Sequence, residues 1–147
     1  MIEIVQGDIF ASACHAMVNP VNCVGVMGKG LALAFKKRWP SMFVDYQRAC
    51  RNGTLAIGRM HPYQVSDGVW VINFPTKDHW RNPSKLEYIE KGLEDLKQCV
   101  RSIGLTSVAI PALGCGLGEL DWPLVKARIH LLGAALPEVL IKLYEPR

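Results

Sequence analysis

Asn19-Pro20-Val21-Asn22-Cys23-Val24-Gly25-Val26-Met27-Gly28-Lys29-Gly30 is the stretch on which the fold turns. It leaves a dense apolar run of β type, residues 16–21, crosses a loop with three glycines, and enters a helical pattern over 30–38. Glycines let backbone N–H groups approach an anion closely, and a helix N-terminus adds a favourable dipole. The G-x-x-x-x-G-K-[ST] phosphate loop is absent, and so is G-x-G-x-x-G. A flexible loop ahead of a glycine-rich helix start is the simpler alternative. Asn19 and Asn22 count against it, since two amides beside such a loop can hold sugar hydroxyls.

The same order of strand, glycine loop and helix recurs at Pro111-Ala112-Leu113-Gly114-Cys115-Gly116-Leu117-Gly118. Two such units in one small domain suggest the two sides of a pyrophosphate clamp. Further β-type runs lie at 2–6, 60–65, 69–74, 107–110 and 139–144, short and rich in Val and Ile, as strands covered on both faces are. Between them run helical patterns. Ser84 and Glu87 make an S-x-x-E capping box, followed by Leu86, Ile89, Leu93, Leu96, Val100 and Ile103 at helical spacing, with Gly104 as the stop. A second helix follows Asp121 as N-cap with Pro123 in its first turn, and runs to about Leu136. Residues 30–38 and 41–52 form two more, separated by Pro40. Strands alternating with helices predict an α/β sheet with helices on both faces, whose ligands sit beyond the carboxyl ends of the strands.

Two other segments fall at such ends. Gly7-Asp8-Ile9 follows the opening strand. Its carboxylate can accept from an exocyclic amine, as on adenine, while a neighbouring N–H meets a ring nitrogen; a plain Gly-Asp turn is the alternative. Asn73-Phe74-Pro75-Thr76-Lys77-Asp78-His79-Trp80-Arg81-Asn82-Pro83 gathers a lysine, a histidine, a tryptophan and an arginine. His79 reads as part of a solvated loop. Lys77 reads as an amine desolvated at a site edge and thereby freed to act as a nucleophile. Trp80 either packs on the core or offers a stacking face, with Arg81 beside it for phosphate.

The chain has 147 residues, half of them apolar and a fifth charged, which suits one domain, 1–147. No run is long and apolar enough to span a membrane, and the start, Met1-Ile2-Glu3, lacks a signal peptide's basic region. The net charge of +4 fits an ordinary soluble surface, or attraction to DNA or a pyrophosphate. Cys14, Cys23, Cys50, Cys99 and Cys115 contain no C-x-x-C and read as buried or half-buried thiols in a reducing cytoplasm. No set of residues has metal-ligand spacing, and no cofactor is expected.

Together these segments resemble the macrodomain family over the whole chain, and within it the DarG-type DNA ADP-ribosyl glycohydrolases. The matching residues are Gly7-Asp8, Asn19 to Asn22 with Val24 to Ala32, Asn73 to Lys77 with His79-Trp80, and Leu113 to Gly118 with Leu120-Asp121-Trp122. The resemblance implies a three-layer α/β/α fold with a mixed central sheet. It implies that Asp8 holds the adenine amine of ADP-ribose and that Ile9 offers its N–H to the ring. Gly25, Val26, Met27 and Gly28 would wrap the diphosphate together with Gly114, Cys115, Gly116 and Leu117. Asn22 would orient the distal ribose, and Lys77 would be the catalytic amine. The implied substrate is ADP-ribosylated single-stranded DNA, modified on thymidine; the implied partner is a DarT-type toxin, which such antitoxins usually meet through a further domain, so that this sequence is expected to be either an excised domain or a protein that works alone. Two departures matter. Terminal ADP-ribose protein glycohydrolases carry an aspartate where this chain has Gly118, with Glu119 following, and MacroD-type hydrolases carry a Gly-Gly-Gly-Val-Asp loop that is missing here. The alternatives are a hydrolase of glutamate-linked ADP-ribose on protein and a reader that binds without chemistry.

Overall fold

A computed structural model, in which residues 1–146 are described, has strands β1 (Ile2–Val5), β2 (Ala16–Val21), β3 (His61–Ser66), β4 (Val69–Pro75), β5 (Ser107–Ile110) and β6 (Leu140–Tyr144). Its helices are α1 (Gly30–Arg38), α2 (Pro40–Asn52), α3 (Leu86–Ile103) and α4 (Trp122–Ala135). One sheet runs β1-β6-β5-β2-β4-β3, with all pairs parallel except β3 and β4. It is therefore mixed.

The alternation of side chains along each strand divides the core in two. Val18, Ile72, Phe74, Val108 and Ile110 join Ile89, Leu93, Val125 and Ile129 of α3 and α4 on one face. Met17, Val21, Val71 and Ala109 meet Phe35, Met42 and Tyr46 of α1 and α2 on the other. The result is three layers, α/β/α. Gly92 lets α3 lie directly on β4, since a methyl group there would overlap the buried Phe74 ring.

Three sequence expectations need correction. Ser84 and Glu87 form no capping box: α3 starts at Leu86 after Lys85, and the Ser84 hydroxyl instead donates to the Thr76 carbonyl. Asp121 holds the extended N-cap conformation of α4, but its side chain makes no capping bond. Pro40 lies within the first turn of α2, where the missing N–H costs nothing, instead of outside both helices. The third strand begins at His61 because the Met60 N–H is already taken by Asp95 Oδ2 at 2.8 Å.

A row of polar side chains crosses the α1–α2 face. Asn19, Asn73 and His61 occupy paired positions on β2, β4 and β3. Asn19 Nδ2 donates to Asn73 Oδ1 at 3.0 Å, Asn73 Nδ2 lies 2.9 Å from His61 Nδ1, and His61 Nε2 lies 2.7 Å from Asp45 Oδ2 on α2. The amide donates to Nδ1, so Nε2 carries the proton toward the carboxylate. Asn19 was expected to hold ligand. Its side chain is fully buried, and it lines neither of the two cavities at the strand ends.

Candidate active site

Every parallel strand ends at the same edge of the sheet, and the loops that leave them are stitched to one another there. Thr76 N–H donates to Val21 O at 2.9 Å, and Cys23 N–H to Asp78 O at 3.2 Å, joining the loops after β2 and β4. Ser84 joins the loop after β4 to the one after β5, through its hydroxyl to Thr76 and its N–H to Gly118 O at 3.0 Å. Gly114 sits at φ +72°, and a Cβ there would lie 2.6 Å from Leu120 Cδ1 and 3.1 Å from Ser84 Oγ. Both the backbone conformation and the space require glycine.

Between these loops lies a cavity of about 820 Å³. Asn22, Val26 and Gly28 line it from the loop after β2, Gly114, Cys115 and Leu117 from the loop after β5, and Lys77 from the loop after β4. The Lys77 side chain runs across Gly118, where a Cβ would lie 4.0 Å from its Cε, and its Nζ donates to Trp80 O at 3.4 Å. A smaller cavity of about 390 Å³, lined by Asp8, Ile9 and Tyr144, shares Gly30, Leu31 and Pro111 with the first. The two form one trough with a carboxylate at one end and an amine at the other.

Helix α1 points its N-terminus at the middle of this trough. Its first internal bond runs from Leu33 N–H to Lys29 O, and Lys29 supplies no side-chain cap. The N–H groups of Gly30, Leu31 and Ala32 therefore have no helical partner, and these residues line the larger cavity. That is an anion site by geometry.

The remaining expected residues fall as follows. Asp8 caps a single 3-10 turn by accepting from Phe10 N–H at 2.9 Å, so the turn reading and the cavity reading both describe it. Asn22 is nearly buried, and its amide is spent on the loop: Nδ2 donates to Val26 O at 2.8 Å, while Oδ1 accepts from Val24 and Val26 N–H at 3.1 and 3.4 Å. Met27 is buried beneath the loop, and neither it, Gly25 nor Gly116 lines the cavity wall. Trp80 does not pack on the core. It is 47 % exposed at the cavity mouth, with the Arg81 guanidinium 4.8 Å from its ring centroid and the His79 ring 5.2 Å away.

Sequence reasoning missed Ser84, whose position before a helix imitates a cap, and left Glu119 open. Glu119 lines the cavity with φ +67°, a left-handed conformation uncommon outside glycine. Burial pushes the thiol of Cys23, beside Asn22, up to about 11 and raises that of Cys115. Both are thereby kept protonated at neutral pH. No three His, Cys, Asp or Glu side chains among the described residues come together as a metal site requires.

A family model described as "Macro domain" matches residues 18–129. A DNA ADP-ribosyl glycohydrolase of Mycobacterium tuberculosis is 48 % identical over 149 residues, covering 99 % of this chain and 42 % of its own length. The macrodomain of Mycobacterium tuberculosis DarG superposes with a TM-score of 0.97 at 47 % identity, over 100 % of this chain and 99 % of that one. Thermosipho africanus DarTG in complex with ADP-ribose superposes with a TM-score of 0.91 at 36 % identity, over 99 % of this chain and 41 % of that one. The chain spans 41–42 % of the length of the first curated relatives it matches.

Proposed function

The chain belongs to the macro domain family, and from that premise we propose that it binds ADP-ribose in the trough and cleaves an ADP-ribosyl group from a DNA base, thymidine-linked in single-stranded DNA. The observation that carries this reading is that Lys77 lines the same cavity as the two glycine loops. The adenine amine meets Asp8, with Ile9 N–H on the ring. The diphosphate lies between Val26 and Gly28 of the loop after β2, the free N–H groups that open α1, and Gly114, Cys115 and Leu117 of the loop after β5. The distal ribose then reaches Lys77.

The reaction breaks the bond between the anomeric carbon and the base. The bonding electrons leave with the base, which takes up a proton. Lys77, in its uncharged form, forms a bond from Nζ to that carbon and loses a proton. Water then displaces the amine and releases ADP-ribose. The diphosphate contacts supply remote binding energy that fixes the sugar against the amine, where small displacements cost much rate. Trp80, exposed at the mouth, stacks on the departing base or its neighbour, and Arg81 meets phosphate. The likeness to a DNA ADP-ribosyl transferase–DNA ADP-ribosyl glycohydrolase fusion protein of Thermosipho africanus supports a role opposite a DNA ADP-ribosyl transferase.

The test compares substrates. The protein should release ADP-ribose from a thymidine-modified single-stranded oligonucleotide much faster than from a glutamate-modified peptide. Faster release from the peptide points to a protein hydrolase, and binding without release from either leaves a reader.

A further inference from the structure

The glycine loop after β2 lines the cavity, and its internal side-chain bonds all run through Asn22. Asn22 is itself held from outside the loop. The Tyr46 side chain on α2 is fully buried, and its hydroxyl lies 2.8 Å from the Asn22 carbonyl oxygen and 3.0 Å from Asn22 Oδ1. A buried hydroxyl must find an acceptor, and both acceptors here belong to one residue. Asn22 in turn grips Val24 and Val26 through its amide, as a short strand would. From the next residue, Gln47 Nε2 donates to Gly25 O at 3.2 Å. Helix α2 thus holds the loop at its start and at its apex. Burial drives the Tyr46 phenol above its ordinary range, so it remains a hydrogen-bond donor at every pH of interest.

We propose that Tyr46 is a positioning residue of this site, which fixes Asn22 and through it the shape of the loop that receives the diphosphate. It touches neither the sugar nor Lys77, so its effect falls on binding. In its absence the loop samples several shapes, and affinity drops by the fraction of time spent in the competent one. The inference rests on the ADP-ribose reading of the trough.

Tyr46→Phe keeps the ring and removes the hydroxyl. Calorimetry on the wild type and the variant is read with two probes, ADP-ribose and adenosine, the second lacking the diphosphate. For ADP-ribose, Kd should rise roughly tenfold, the scale of one hydrogen bond's free energy. Adenosine affinity should stay within about twofold. KM for the modified oligonucleotide should follow Kd, with kcat nearly unchanged. In the ligand-free protein, exchange of the Val24 and Val26 amide protons should quicken in the variant. Gln47→Ala should show the same pattern more weakly. Equal loss for both probes, or unaltered Kd and exchange in the variant, overturns the positioning role while leaving the binding reading intact. A wild type that binds no ADP-ribose sinks the reading, and the exchange result then judges the loop brace alone.

Discussion

At the residue scale, the site depends on side chains whose neighbours decide their chemistry. Cys23 and Cys99 are held up to about 11 by burial, and Cys50 and Cys115 are raised as well. The folded state therefore favours the protonated thiols. Their contribution is complete below the ordinary thiol value of 9.0 and is lost as pH climbs through about 11. Denaturant midpoints should be flat from neutrality to about pH 9 and then fall, and alkylation of the native protein at pH 7.5 should be slow until it is unfolded. Flat stability to pH 11 contradicts this picture. Lys77 was legible because an apolar strand stops two residues before it and leaves an amine at a sheet edge. Ser84 was not, because a serine ahead of an amphipathic run signals a cap equally well; only the Thr76 carbonyl across the loop decides between them. Asn22 lines the cavity, as its place before the glycine loop suggested, but the bonds its amide makes are to the loop itself.

At the scale of elements, the strands and helices were readable nearly to the residue, since Val- and Ile-dense runs and helical spacing describe α/β units well. What the pattern hides is pairing across strands. Asn19 looked like a ligand contact because it precedes the glycine loop. Its partner Asn73 lies 54 positions away, and only the parallel register of β2 and β4 brings them together. Close helix approach is hidden in the same way. Gly92 sits in the middle of α3 against Phe74. Alanine there gains about 1 kcal/mol of helix propensity, but overpacking costs about 1–3 kcal/mol. With Phe74 fully buried the ring has little room to yield, so Gly92→Ala should lower stability by about 1–2 kcal/mol in urea unfolding. A stabilised variant means that α3 rides higher on the sheet than described.

At the scale of the molecule, five strands share one direction across the sheet, and so the loops with chemistry gather at one edge. The trough, the α1 N-terminus and Lys77 are consequences of that topology. The ring of Trp80 is exposed where it lines the trough, and under the proposed function it faces whatever carries the ADP-ribosyl group. Stacking of a base on an aromatic face contributes about 1–3 kcal/mol. Trp80→Ala should therefore raise KM for a modified oligonucleotide by roughly fivefold to a hundredfold and leave the Kd of free ADP-ribose unchanged. Equal loss for both ligands places the ring against the nucleotide itself, not the DNA. In the proposed reaction one amine in the trough takes the anomeric carbon from the departing base. The most direct test is single-turnover release of ADP-ribose from thymidine-modified single-stranded DNA by the wild type and Lys77→Ala, each with its ADP-ribose Kd measured. The variant should keep its affinity within about threefold and lose at least about a hundredfold in rate. Release at the wild-type rate by a variant that still binds contradicts the account.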